Sequence, residues 1–252
     1  MTIESALILF VGFLAGTVNT VVGSGSLLTL PTLIALGYPP LVANVSNNIG
    51  LAPGSLSGAI GYRRELAGQR SMTTQLGAVA AGGGAAGAAL LLLLPASAFE
   101  RIVPVLILVA CGLVIAQPRL SALARERASA PHEGRGLDPL LPLAVGATGV
   151  YGGYFGAAQG VILMALLGVL VDDHIQRINA LKNALTAIVN GTAAVIFALT
   201  TAVAWDVVLL LAIGSVIGGQ TGAKLGRRIP PTPLRVIIVT VGLLVVIRYL
   251  TR

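Results

Sequence analysis

The chain has 252 residues, of which 56% are hydrophobic and 10% are charged, and its mean hydropathy is +0.92. Soluble domains carry about 25% charged residues, so this composition excludes an ordinary soluble protein and predicts an integral membrane protein. The net charge of +7 would suit a protein that binds nucleic acid. However, the arginines cluster in short loops without interleaved aromatic residues, which argues against a nucleic-acid partner and predicts that these loops are cytoplasmic.

The first apolar run extends from near Ile3 to Leu36, which is too long for one membrane helix. It is interrupted at Gly23, Ser24 and Gly25, where glycine lets the backbone leave helical geometry. In lipid such a break is tolerated where its backbone is buried in protein or lines a polar cavity. The pattern therefore predicts two half-helices that meet at a binding site near the middle of the membrane. The alternative is a flexible kink that only lets helices pack closely.

The remaining elements of the first half are read from apolar runs bounded by proline, glycine or charge. They are a turn at 38–40, a helix at 43–62 with three asparagines near its start, a basic loop at 63–70, and helices at 72–94 and 101–116. The hydrophilic stretch that follows predicts a division into a first transmembrane repeat at 1–117, a cytoplasmic linker at 118–138 and a second transmembrane repeat at 139–252.

The second half aligns with the first at a constant spacing of 135 residues without a gap. Asn44 then falls on Asn179 and Asn48 on Asn183, although the whole chain has only seven asparagines. Glycines also match, as in Gly25 and Gly160. These matches predict an internal duplication.

The loop charges predict that the two halves have opposite orientations. The loop 63–70 is basic, whereas its counterpart at 198–205 has no positive charge. Conversely, 95–100 is poor in basic residues, and its counterpart at 230–235 follows Arg227 and Arg228. The expected fold is therefore an all-α polytopic membrane protein with two inverted-topology repeats, each a broken helix pair plus three transmembrane helices. Both termini are expected outside the cell membrane.

Polar residues within the predicted helices identify candidate binding groups. Asn44 and Asn48 share one helix face, as do Asn179 and Asn183, and they either bridge helices or line a cavity. Lys182 is equivalent to Asn47 in the repeat. Placing a lysine inside a membrane costs free energy, so such a residue is by default predicted to be functional. If Lys182 faces the site, it favours an anion. The alternative is that Lys182 extends to the cytoplasmic interface near Arg177.

The second break is predicted between Gly152 and Gly160, where Gln159 replaces Ser24 of the first break. Helix N-termini at such breaks offer N–H groups and a partial positive charge, to which Ser24, Ser26, Gln159 and Tyr151 could add donors. No Asp or Glu is predicted within the membrane, so an oxyanion suits the site better than a cation. Neither a metal cluster, a catalytic triad nor a cofactor site is evident, because His132 lies in the linker and His174 at a helix start.

One sequence block runs from Gly12 to Asn19 and continues from Gly23 to Pro31. A second block runs from Pro40 to Asn48 and continues at Pro53 to Ser55 and at Gly58 to Arg64. These two blocks resemble the TauE/SafE family of sulfite and organosulfonate exporters. The resemblance extends into the second half, which departs from the usual pattern at Ala157 to Gly160. It implies export of sulfite, sulfoacetate or a related sulfur-containing anion across a cytoplasmic membrane.

The sequence thus predicts a transporter that exports a small anion by alternating access. Its partners are the anion and the lipid bilayer. The expected substrate-binding residues are Asn19, Gly23, Ser24, Gly25, Ser26, Asn44, Asn47, Asn48, Gln159, Gly160, Asn179, Lys182 and Asn183. The alternatives are an anion channel or a carrier of another small anion with the same fold; an intramembrane enzyme and a structural scaffold are rivals from other classes.

Overall fold

The computed structural model describes residues 2–128, 139–225 and 231–250, and these ranges contain helices and no strands. The helices begin and end as follows: α1 (Ile3–Val21), α2 (Ser26–Ala35), α3 (Pro40–Gly61), α4 (Arg70–Leu93), α5 (Ala96–Ala128), α6 (Leu140–Tyr154), α7 (Gln159–Leu170), α8 (Ile175–Thr200), α9 (Trp205–Leu225) and α10 (Pro231–Leu250). The predicted all-α polytopic class is confirmed.

The helices differ in whether they are long enough to cross a membrane. Within the described ranges, six helices are long and apolar enough to cross a membrane, namely α1, α4, α5, α8, α9 and α10. By contrast, α2 has 10 residues and α7 has 12. At about 1.5 Å per residue, each of these two helices covers roughly half of the ~30 Å hydrocarbon core. They are the half-helices that the broken apolar runs predict.

Both helix breaks lie where the glycine-rich sequences predict them. α1 ends at Val21 and α2 begins at Ser26, with Gly23 at φ 92° between them. α6 ends at Tyr154 and α7 begins at Gln159, and here Ala158 has a φ of 60°. Ala158 is the 135-residue counterpart of Gly23, so both breaks place a left-handed backbone at the same repeat position. In an alanine this conformation is strained, and strained residues of this kind cluster at functional sites.

The predicted end of the fifth helix is wrong. We expected a helix at 101–116 followed by a linker, but α5 continues to Ala128. Leu, Ala, Arg and Glu dominate the stretch after Pro118 and are strong helix formers, so the hydrophilic composition does not end the helix. Gln117, the first residue of the expected hydrophilic stretch, is buried. Residues 129–138 of the proposed linker lie outside the described residues, and the division into domains stays a prediction.

Helices of one half pack on helices of the other half in exchanged pairs: where a helix of the first half contacts a helix of the second half, their two counterparts also contact each other. The starts of α3, α4 and α5 precede those of α8, α9 and α10 by 135 residues in each case. The broken pair of each half packs on the long helices of the other half, since α1 contacts α9 and α6 contacts α4, while α2 contacts α10 and α7 contacts α5. At the centre, α3 contacts α8. The halves are therefore interlocked around α3 and α8.

Glycines allow the backbones of these exchanged pairs to approach closely. A Cβ atom added to Gly16 of α1 would lie 2.8 Å from the Cα atom of Ser215 in α9. In the other pair, a Cβ atom on Gly87 of α4 would lie 2.8 Å from the backbone nitrogen of Tyr154 in α6. Small residues at helix contacts are the usual packing solution in membranes.

An apolar groove of about 550 Å³ lies between α3 and α8. Five residues of each helix line it, and they form five pairs at the 135-residue spacing: Ile49, Ala52, Pro53, Leu56 and Ala59 with Ala184, Ala187, Ile188, Gly191 and Ala194. Residues 135 positions apart thus lie together where α3 and α8 pack against each other. None of the predicted substrate-binding residues lines this groove.

Candidate functional site at the two helix breaks

The two breaks touch each other. The backbone N–H of Gly160 donates a hydrogen bond to the carbonyl oxygen of Gly23, with an N–O distance of 3.0 Å. A Cβ atom added to Gly23 would lie 2.5 Å from the carbonyl carbon of Gly160, and one added to Gly160 would lie 2.5 Å from the Cα atom of Gly23. Glycine is therefore needed on both sides of this contact, and at Gly23 the positive φ requires it as well.

Lys182 is buried beside the first break, with 1% of its surface exposed. Its Nζ atom donates to the carbonyl oxygens of Asn19 at 3.1 Å and Thr20 at 3.2 Å. These carbonyls belong to the last turn of α1, where the helix dipole places a partial negative charge that stabilises a cation. The alternative that Lys182 extends to the interface near Arg177 is therefore wrong, because the end of α1 supplies acceptors inside the protein.

Two further side chains complete the capping of α1. Asn183 donates from Nδ2 to the Thr20 carbonyl at 3.2 Å. Gln117 of α5 donates from Nε2 to the carbonyl of Val22 at 3.2 Å, and its Oε1 accepts a hydrogen bond from Nε of Arg235 at 3.0 Å. The carbonyls at the end of α1 are thus already hydrogen-bonded by side chains of α5 and α8.

The second break is held by neutral groups. Asn44 of α3 donates from Nδ2 to the carbonyl of Tyr154, the last residue of α6, at 3.1 Å. The Tyr151 hydroxyl donates to the carbonyl of Ala157 at 2.7 Å. Asn44 and Lys182 thus perform the same task in opposite halves, because each caps the first helix of the other half's broken pair. The cap is charged at the first break and neutral at the second.

Asn47 does not act as Lys182 does, although the two positions are equivalent in the repeat. Its Oδ1 accepts a hydrogen bond from the Thr29 hydroxyl of α2, so it braces two helices of its own half. Asn47 therefore forms a hydrogen bond between two helices, as polar side chains in membrane proteins often do.

Sequence reasoning missed a polar network at the centre of the molecule. The Ser55 hydroxyl accepts hydrogen bonds from Asn19 Nδ2 at 3.1 Å and Asn190 Nδ2 at 3.0 Å, and it donates to the carbonyl of Leu51 at 3.1 Å. Asn190 and Ser55 are equivalent at the 135-residue spacing. A signal was present, because Asn190 follows Asn183 by seven residues and therefore lies on the same helix face.

Several of the predicted residues are buried with polar atoms that have no hydrogen-bond partner among the described residues. These atoms are Ser24 Oγ, Asn44 Oδ1, Asn48 Oδ1, Asn179 Oδ1, and both Oε1 and Nε2 of Gln159. Buried polar groups in proteins nearly always have a partner, so orphans of this kind indicate a bound ligand or water. The two remaining predicted residues, Gly25 and Ser26, form the start of α2, where Gly25 packs against Ala15 and Asn19.

The comparisons with known proteins agree with this architecture. Residues 8–249 match the family described as "Sulfite exporter TauE/SafE". The chain belongs to the TauE/SafE family. Among curated proteins, it is 27% identical over 217 residues to the "Probable membrane transporter protein YfcA" of Escherichia coli K12, a match that covers 86% of this chain and 78% of that protein.

Two further relatives match over most of their length. A "Probable membrane transporter protein" of Haemophilus influenzae is 25% identical over 235 residues, which cover 93% of this chain and 89% of that protein. The "Probable membrane transporter protein ORF9" of Sinorhizobium sp. is 26% identical over 247 residues, covering 97% and 92%. No solved structure matches the chain. As a TauE/SafE protein this chain is a multi-pass membrane transporter of a small molecule and not an enzyme, which confirms the coarser part of the functional prediction.

Proposed function

We propose that this TauE/SafE protein exports a small sulfur-containing anion from the cytoplasm across the cell membrane. The substrate class is sulfite, sulfoacetate or a related organosulfonate, and the anion binds where the two breaks meet. The proposal rests on the position and hydrogen bonds of Lys182. It is buried beside the first break, and both groups that accept its hydrogen bonds are backbone carbonyls.

The environment of Lys182 favours an anion because, in the part of the chain that the structure describes, no carboxylate neutralises its ammonium group. Two carbonyl dipoles at the end of α1 stabilise the charge, but they carry no net charge of their own. A buried cation that lacks a charged partner is costly. An anion that enters between the breaks removes part of that cost, whereas a cation would add to it.

The contact between the breaks supports transport by alternating access. The Gly160 N–H and the Gly23 carbonyl bind each other, so the two breaks must separate before an anion can lie between them. The exchanged packing of corresponding helices and the charges of the loops support an inverted-topology arrangement of the two halves, which moves as two units around a central site. Under this arrangement the basic loops and the linker 118–138 are cytoplasmic, and both termini are outside.

Export needs no coupling ion. Moving one negative charge outward through a negative-inside potential is favourable by about 2.3 kcal/mol per 100 mV. The membrane potential therefore suffices to drive the anion out of the cytoplasm.

The test is efflux of sulfite and of sulfoacetate from proteoliposomes with an imposed negative-inside potential, compared with empty liposomes. We expect saturable efflux that external substrate accelerates, because a carrier returns faster when it is loaded. Flux without saturation would instead support an anion channel of the same fold. No flux of either anion, from protein that is monodisperse before reconstitution, would overturn the substrate assignment.

A further inference from the structure

Buried amide oxygens with no hydrogen-bond donor among the described residues cluster at the second break. Gln159 is 1% exposed, and both ends of its carboxamide lack a partner among the described residues. Asn44 Oδ1 and Asn48 Oδ1 are also unpartnered. The three side chains surround one short stretch of backbone: the Gln159 amide packs against Gly152, Asn44 binds the carbonyl of Tyr154, and Asn48 Nδ2 lies 3.7 Å from where a Cβ atom of Gly156 would be.

At least two of these unpartnered groups are hydrogen-bond acceptors whichever way the amides are assigned. The orientation of Asn44 is fixed, because its Nδ2 must face the Tyr154 carbonyl that it binds, and this leaves Oδ1 as the free atom. Gln159 is unpartnered at both ends, so exchanging its oxygen and nitrogen still leaves one acceptor and one donor.

A bare oxyanion cannot satisfy such a site. Its oxygens accept hydrogen bonds and donate none, so they would leave the buried amide oxygens unpaired, which is unfavourable. A ligand with an O–H or N–H group of its own satisfies them. A carboxamide with both ends free is particularly suited to a partner that presents a donor beside an acceptor, as a protonated oxyanion or a hydroxyalkanesulfonate does.

We propose that the second break selects anions that carry their own hydrogen-bond donor, such as hydrogensulfite or a hydroxyalkanesulfonate, over anions of equal charge that carry none. This inference rests on the proposed function and makes its substrate class narrower. The negative group faces the first break and Lys182, while the donor binds Gln159 and Asn44. Gly23 of the first break and Gly160 of the second are in direct contact, which supports one small molecule binding to both sets of groups once the breaks separate.

The test compares two sulfonates that differ by one hydroxyl group. 2-Hydroxyethanesulfonate and ethanesulfonate are both monoanions at every pH of interest, so Lys182 and the membrane potential act on them equally. Efflux of each from proteoliposomes gives its kcat/KM. We expect the hydroxylated anion to be favoured by at least about tenfold, because a site built to bind a hydroxyl group rejects the analogue that lacks it.

A variant series assigns that preference to the second break. Gln159→Leu removes both free ends of the amide and should bring the two kcat/KM values to within about threefold, since the discriminating hydrogen bond is lost. Gln75→Leu is the matched control, because Gln75 is exposed on α4, and it should keep the wild-type preference. The wild-type comparison stands even where Gln159→Leu does not fold.

The outcomes separate this inference from the proposed function. Equal kcat/KM values for the two sulfonates in the wild-type protein would overturn the donor requirement and leave anion transport intact, with water as the occupant of the amide cluster. An unchanged preference in folded Gln159→Leu would also overturn it. If neither sulfonate nor sulfite moves, the proposed function itself fails.

Discussion

The two helix breaks occupy equivalent positions in the two halves, yet they are stabilised by different chemistry. At the first break, a buried lysine and two amides cap the end of α1, and one of those amides also binds Arg235. At the second, the bonded groups are the neutral side chains of Asn44 and Tyr151, and the amide of Gln159 has no partner among the described residues. The first break thus supplies positive charge, whereas the second supplies neutral amide groups.

This difference suits a site that must both attract an anion and identify it. A charge attracts an anion over a distance and with little dependence on orientation, whereas an amide group binds only a partner that has the right hydrogen-bond geometry. The two breaks are in direct contact at Gly23 and Gly160, which supports the proposal that one small ligand binds to both.

The largest expected effect comes from breaking the contact that both halves share. Gly23→Ala places a Cβ atom 2.5 Å from Gly160 and forces alanine to adopt a φ of 92°. Overpacking and left-handed strain together should lower the free energy of unfolding by at least about 2 kcal/mol. Thermal denaturation of the detergent-purified protein measures this.

Gly191→Ala is the matched control for this prediction. A Cβ atom on Gly191 would have no neighbour within 4 Å, and alanine is favoured over glycine in a helix. Its denaturation temperature should equal or exceed that of the wild-type protein. A Gly23→Ala protein as stable as Gly191→Ala would show that the breaks do not touch.

A smaller effect is expected at the cap that joins the first break to α5 and α10. Gln117→Leu leaves the Val22 carbonyl and the Arg235 guanidinium without the partners that Gln117 provides. Leaving such groups unsatisfied costs about 1–3 kcal/mol, which should lower the denaturation temperature. Gln75→Leu, on the exposed face of α4, should be neutral, and equal stabilities of the two variants would refute the role of Gln117.

The smallest effect is expected at the second break, where the cap is neutral. Asn44→Ala removes one hydrogen bond to the Tyr154 carbonyl and should cost about 1 kcal/mol. Anion transport should also weaken, because Asn44 supplies one of the free amide oxygens. Measuring efflux and denaturation on the same preparation separates the two effects, and wild-type rates in a folded Asn44→Ala protein would remove Asn44 from the site.

Much of the fold could be predicted because the sequence carries local signals for it. An apolar run too long for one helix, with glycines at Gly23 and Gly25, specifies the first break, and the 135-residue spacing then indicates the second. The end of α5 could not be predicted in this way. Charged residues mark a hydrophilic stretch, but Arg, Glu, Leu and Ala are also strong helix formers, so the helix continues past Pro118 to Ala128.

The sequence identifies residues of the candidate site but not the groups to which they bind. The cost of a charge in the membrane identifies Lys182 from sequence alone. Its acceptors, however, are carbonyls at the end of α1, and that contact arises only when the halves interlock. The same holds for Ser55 and Asn190, which lie on separate helices and meet only where α3 and α8 cross.

We propose that the positive charge at the first break binds the transported anion. The kcat/KM of sulfite efflux for Lys182→Asn tests this, because the variant gives the first break the residue found at the equivalent position, Asn47. Lys224→Asn, on the exposed end of α9, is the control. We expect a loss of at least about tenfold, equal to 1.4 kcal/mol, in Lys182→Asn alone, with folding verified by thermal denaturation. Sulfite efflux at the wild-type rate from folded Lys182→Asn would show that this charge does not bind the anion.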